Sequence, residues 1–197
     1  MASFTRSSIE IFFEKYLESR RDNIKELDSC IVFGAGYQPN PPITQFFSKI
    51  IRVDNNTNAK ADLYCDIASL PLNSDSYDCV VIDQVLEHAK YPRRILEEAK
   101  RVLKKKGVIL VATPYLVQIH RMPIDFWRFS PEALQFLLEE VDFKSVEVGS
   151  WGSKFLVLLH LYTYFIGGLP KIIAQWVSKF PGDDHRAPLM VYAGGQK

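Results

Sequence analysis

"YDCVVIDQVLEHAKYPRRILEEAKRVLKKKGVILVATP", residues 77–114, holds two apolar runs separated by one amphipathic stretch. DCVVID (78–83) and GVILVAT (107–113) are short and rich in Val and Ile, the pattern of strands buried on both faces. Between them Pro92 suits the first turn of a helix, and Ile95, Leu96, Ala99, Val102 and Leu103 recur at helical spacing. Lys104, Lys105 and Lys106 before Gly107 read as the helix C-terminus, where cations complement the macrodipole. Strand, helix, strand in that order is a βαβ unit, which requires a parallel pair and a covering helix.

The same reading extends in both directions. CIVFG (30–34) and IIRVD (50–54) are two more runs of this kind, so four central strands are expected. Ser7 to Leu17 reads as an amphipathic helix with Ile9, Phe12, Phe13 and Tyr16 turned inward, and Ser130-Pro131-Glu132 opens another helix through Leu138. The fold class is therefore α/β, a single domain over residues 1–197, with a helical insertion at about 153–180.

Composition narrows the partners. The 24 basic and 23 acidic side chains nearly cancel, so no global field draws the chain to nucleic acid. Cys30, Cys65 and Cys79 lack CxxC spacing and read as reduced core residues. The first 21 residues lack the apolar stretch and small-residue cleavage site of a secretory signal, and a cytoplasmic location is expected. Four scattered His without paired spacing give no expectation of a metal site.

The first candidate site lies in "CIVFGAGYQPNPP" (30–42), a strand running into a glycine turn. Gly34 and Gly36 let backbone approach a ligand, and free N–H groups follow at a helix start. Asp54 ends the next strand 20 residues after Gly34, where a nucleoside site places an acid that accepts both ribose hydroxyls. Its other reading is a strand-end cap for the turn at Asn55 and Asn56.

DIASLPLNSDSYDCVVIDQVLEHAKYP (66–92), followed by RILEEAKRVLKKKGVILVATP (94–114), resembles the class I S-adenosylmethionine-dependent methyltransferases, in particular their small-molecule, type 11-like branch. That resemblance covers about residues 28–145. It implies a Rossmann-like seven-stranded sheet, mostly parallel with an antiparallel last strand and helices on both faces; VDFKSVEVG (141–149) and APLMVYAG (187–194) become its sixth and seventh strands. It also implies S-adenosyl-L-methionine as cofactor, with adenine near Asp66 and Ile67 and the methionine half near Asp83, Gln84 and Val85. The family turn D/E-x-G-x-G-x-G is altered here, because Val32 replaces the acid and Gln38 the last glycine, with Pro41 and Pro42 displacing the next helix start.

TPYLVQIHRMPIDFWRFSPEAL (113–134) resembles a segment of methyltransferases that act on sugars or other small hydroxylated molecules. His120 is the candidate base, with Asp125 as its orienter or a substrate ligand and His88 as a second candidate. Arg128 can hold an anionic group and Trp127 contact the substrate; in the alternative reading Trp127 and Phe129 anchor the loop and Arg128 pairs with Asp125. The apolar run Phe155 to Pro170 reads as a lid, a homodimer surface or a peripheral membrane contact, with Lys171 and Lys179 beyond it, and His160 as a core histidine. Two functions stay open: a methyltransferase acting on a small-molecule acceptor, and a non-catalytic relative of the fold with a degraded cofactor turn. A nicotinamide dehydrogenase would want G-x-G-x-x-G, and residue 39 is proline.

Overall fold

The computed structural model describes residues 2–20, 28–34, 36, 43, 46–121, 123–166 and 186–197. Helix α1 (Ala2–Glu18) precedes strand β1 (Ser29–Phe33). There follow β2 (Lys49–Asp54), β3 (Leu63–Tyr64) and β4 (Tyr77–Asp83). Then come α2 (Pro92–Val102), β5 (Leu103–Pro114), α3 (Pro131–Glu140) and β6 (Lys144–Trp151). The chain closes with α4 (Lys154–Ile166) and β7 (Met190–Gln196). The seven strands form one sheet in the order β3-β2-β1-β4-β5-β7-β6, all parallel except β7, which runs antiparallel to both neighbours.

Alternation along the central strands builds two cores. Ile31, Phe33, Val80, Ile82, Ile109 and Val111 face Leu96 and Ala99 of α2 and Leu134 and Leu138 of α3. Cys30, Val32, Cys79, Val81, Val108 and Leu110 face Ile9, Phe13, Tyr16 and Leu17 of α1 and Leu156 of α4. Each buried aliphatic or aromatic side chain here contributes about 1.5–3 kcal/mol. Cys30 and Cys79, register partners across β1 and β4, are free thiols inside the second core. Ser130 caps α3 as expected, its Oγ accepting from the Ala133 N–H at 3.2 Å.

The expected end of α2 needs correction. The helix stops at Val102, and Leu103 turns extended (φ −66°, ψ 137°) to pair with Tyr77, so Lys104, Lys105 and Lys106 lie in β5. Lys106 takes a positive φ of 66°, and the β4–β5 register shifts between Tyr77 and Cys79. That irregularity lets Val108 restart the ladder opposite Cys79. Strand β6 begins three residues later than expected, because Val141 and Asp142 form a turn with Asp142 at φ 65°, and β7 is displaced likewise toward the C-terminus. Strand β3 carries no run long enough to be read from sequence.

No helix of the described residues is long and apolar enough to cross a membrane. Helix α4 buries Leu156 and His160 and exposes Phe155, Leu158, Leu161 and Tyr162. The rest of the apolar run and of the expected insertion, residues 167–180 with Lys171 and Lys179, lies outside the described residues, as do Gln38, Pro41 and Pro42.

Asp78 ties three strands together. Its carboxylate accepts from the Ser29 N–H (3.0 Å) and Oγ (2.7 Å) on β1 and from Lys104 Nζ (2.9 Å) on β5. Burial alone would raise this carboxyl's pKa, but the hydrogen bonds from Ser29 and Lys104 outweigh it and hold the group below its usual range. Asp78→Ala should cost roughly 2–3 kcal/mol in denaturant unfolding at pH 7. Because the folded-state pKa is the depressed one, that contribution is complete above the unfolded value near 4 and fades as pH falls through the folded value. The gap between wild type and variant should therefore narrow in acid; a gap of constant size would contradict the assignment.

Candidate active site

The carboxyl ends of β1, β2, β4 and β5 meet at one edge of the sheet, the edge at which open α/β sheets hold ligands. Gly34 leaves β1 at φ +75°, and a Cβ there would stand 2.2 Å from Val85 Cγ2, so only glycine allows this turn to pass the one after β4. Gly36 has φ +54°, and among the described residues no atom lies within 4 Å of where its Cβ would project. Beneath them, Asp54 is buried and accepts from the Gly36 N–H at 2.8 Å through Oδ2 and from the Asn56 N–H at 2.8 Å through Oδ1. The capping reading of Asp54 is thus part of the structure; each oxygen keeps a further lone pair for a ligand.

Asp66 is exposed, its Oδ1 accepting from Ala68 N at 2.9 Å, and Ile67 beside it packs onto the first core. Asp83 ends β4. Gln84 follows at φ +55°, a strained conformation for a residue other than glycine, fixed by its N–H to the Ala112 carbonyl (2.8 Å).

The next turn, Leu86–His88, is a short 3₁₀ segment whose Glu87 is fully buried. The loop after β5 folds onto it: the Phe126 and Trp127 N–H groups donate to the Glu87 carbonyl (2.8 and 3.2 Å), and Trp127 Nε1 donates to the Ala89 carbonyl (2.8 Å). This clamp brings His88 and His120 together with ring centroids 4.9 Å apart, edge to face. His88 Nδ1 lies 2.6 Å from the Ile124 carbonyl; a carbonyl only accepts, so Nδ1 carries the proton. His120 Nδ1 lies 3.3 Å from Asp125 Oδ2, and the His120 N–H donates to the same oxygen at 2.9 Å.

Arg128 forks onto Asp125, Nη2 meeting Oδ2 at 2.7 Å and Nη1 meeting Oδ1, and donates to the Trp127 and Gln118 carbonyls at 2.8 and 3.2 Å. The Arg128 hydrogen bonds pull the Asp125 carboxyl down to about 2. The Glu87 carboxylate, with help from Asp125, raises the His120 pKa against the effects of burial and of Arg128. The expected pairing of His120 with Asp125 is present. Arg128 spends four donors within the loop, the ion-pair reading of this residue. Trp127 stacks near Phe129 at 6.1 Å and remains 44% exposed.

Glu87 was missed by sequence reasoning. The signal was the LEH tripeptide itself, in which an acid next to a leucine of the strand–helix connection gives no hint of complete burial. His160, expected in the core, is buried in α4 with Nε2 2.8 Å from Gln118 Oε1, which joins α4 to the same loop.

Residues 35–111 match the family model described as a methyltransferase domain. The matched stretch is similar to that family, and the fold around it is the one that solved S-adenosylmethionine-dependent methyltransferases share. An S-adenosylmethionine-dependent methyltransferase of Archaeoglobus fulgidus superposes with a TM-score of 0.61 at 14% identity, over 95% of this chain and 94% of that one. Phosphoethanolamine N-methyltransferase 2 of Haemonchus contortus, solved with phosphomonomethylethanolamine and S-adenosylhomocysteine, superposes with a TM-score of 0.61 at 15% identity, over 87% of this chain and 49% of that one. An uncharacterized protein of Methanocaldococcus jannaschii is 45% identical over 42 residues, 21% of this chain, and the chain spans a fifth of that relative's length.

S-adenosyl-L-methionine is the cofactor that this similarity implies, and the edge offers it the uncrowded backbone at Gly36 and the carboxylate oxygens of Asp54. The departure at Val32 is real: its side chain is buried against the α1 core. If Asp54 holds the ribose, Asp54→Ala should weaken S-adenosylhomocysteine binding in calorimetry by roughly 1.5–3 kcal/mol, the worth of hydrogen bonds to a charged group. Unchanged affinity would remove Asp54 from the cofactor site.

Proposed function

We propose that the protein transfers a methyl group from S-adenosyl-L-methionine to a small hydroxylated molecule, a sugar or a related alcohol, held over the Leu86–His88 turn. The observation that supports this reading most is the polar cluster in which Glu87 and His88, three to five residues beyond the cofactor-side Asp83 and Gln84, meet His120 and Asp125 of the loop after β5. When bound, the cofactor supplies a methyl group on a sulfonium, an electrophile that needs only an aligned nucleophile.

The chain supplies the alignment and the proton acceptor. Gly34 and Gly36 admit the donor close to backbone, with Asp54, Asp66 and Ile67 along the nucleoside and Asp83 and Gln84 beside its methionine half. An alcohol oxygen is a poor nucleophile until it loses its proton, and the His120 side of the cluster takes that proton, with Asp125 and Arg128 fixing the imidazole. His88 completes the cluster. Trp127, with the exposed Ile119, Ile124 and Phe126, gives the acceptor site an apolar rim, suited to an alcohol that also carries an apolar portion. Helix α4, tied to the loop through His160 and Gln118, covers its flank as a lid.

His120→Ala should lower turnover by about 10²-fold or more while leaving S-adenosylhomocysteine affinity unchanged, measured as S-adenosylhomocysteine release with a panel of small alcohols and sugars. Equal turnover would move the proton acceptor elsewhere. Wild-type protein that binds the cofactor product yet methylates no hydroxylated acceptor would favour the non-catalytic reading, which Val32 in the glycine turn supports.

A further inference from the structure

Glu87 sets an electrostatic problem at the centre of the cluster. Its carboxylate is fully buried, and neither oxygen has a hydrogen-bond partner among the described residues. An ionised carboxylate in that position is strongly unfavourable unless an opposite charge meets it. What it faces instead is two imidazole nitrogens: His88 Nε2 and His120 Nε2 each lie 3.7 Å from the same Glu87 Oε1. That spacing exceeds a hydrogen bond.

The observed spacing is that of two ligands around a shared ion. Nitrogen and oxygen donors sit about 2.0–2.2 Å from a zinc-class cation, which separates neighbouring donors by roughly 3.4–3.6 Å at tetrahedral to trigonal angles. One donor atom from each of Glu87, His88 and His120 falls within 4.8 Å of the others. Both rings are also held the way metal-ligating histidines are held. His88 gives its Nδ1 proton to the Ile124 carbonyl and His120 turns its Nδ1 to Asp125, which leaves Nε2 of each ring toward Glu87. A backbone carbonyl and a carboxylate are the usual outer partners that set the tautomer of such ligands.

We infer that Glu87, His88 and His120 bind a divalent cation of the zinc, iron(II) or manganese(II) class. Two imidazoles and one carboxylate leave coordination positions open on the ion, and the partly exposed His120 marks the side from which they are reached. Given the acceptor site proposed above, on which this role rests, an alcohol oxygen entering an open position is acidified by the ion and turned toward the methyl donor. Its proton then leaves to water or to a neighbouring base, and His120 serves as a ligand at Nε2 while Asp125 positions it. Loss of turnover in a His120 variant follows from either role, so the ion has to be detected directly.

The test uses tag-free full-length protein stripped with chelator and titrated with zinc by calorimetry and with cobalt(II) by visible absorption. About one equivalent of zinc should bind, and cobalt should develop ligand-field bands that zinc displaces. Glu87→Gln or His88→Ala should abolish both signals, Asp125→Asn should weaken zinc about 10-fold, and Asp142→Asn, in the turn after α3 and outside the cluster, should leave them intact. If Glu87→Gln fails to fold by circular dichroism, His120→Asn takes its place. Absence of stoichiometric binding, or binding that survives these cluster substitutions, overturns the site. Metal that binds as described in a protein that methylates no hydroxylated acceptor leaves the metal site standing and overturns the proposed function; methylation unaffected by chelation, with no metal bound, does the reverse.

Discussion

Parallel pairing of β1, β4 and β5 is the constraint on which the rest depends. The register that sets Phe33 beside Ile82 and Asp83 beside Ala112 brings the carboxyl ends of three strands to one edge within a few residues of each other. The turns that follow must then share a small space. Gly34 answers this by giving up its side chain to Val85, and Gln84 by accepting a left-handed backbone. Because the strands end together, a residue of the glycine turn, an acid after β2 and the turn after β4 become neighbours although they are far apart in the chain.

The loop after β5 adds a second layer to that edge. Its grip is mostly backbone: the Glu87 carbonyl receives two N–H groups, and Trp127 reaches the Ala89 carbonyl. Arg128 binds Asp125 from within the same loop, so the carboxylate beside the His120 ring is itself fixed at both oxygens. A side chain held through two successive shells loses little entropy when a ligand arrives, which is what a catalytic or metal-binding geometry requires.

Much of this was legible in the chain, for particular reasons. Strands β1, β4 and β5 are buried on both faces, so their Val and Ile runs stand out, and Pro92 and Ser130-Pro131 announce two helices. The end of α2 was misread because three lysines suit a helix C-terminus and an exposed strand start equally well; only the pairing of Leu103 with Tyr77 decides. Strand β3, two residues long, leaves no periodicity to find. In the site, the pairing of His120 with Asp125 and the seat of Asp54 could be proposed from spacing, whereas the joining of Glu87, His88 and His120 could not. Chain distance hid it: His88 and His120 are 32 positions apart, and they meet through a loop clamp made by backbone groups, which carry no sequence signature.

The central claim is that one sheet edge holds methyl donor and acceptor-activating cluster side by side. A crystal structure of the protein with S-adenosylhomocysteine tests it most directly. The account predicts density along the carboxyl ends of β1, β2 and β4, the ribose on Asp54, the adenine near Asp66 and Ile67, and the sulfur turned toward Glu87, His88 and His120. A ligand bound elsewhere, or one whose sulfur points away from that cluster, would contradict it.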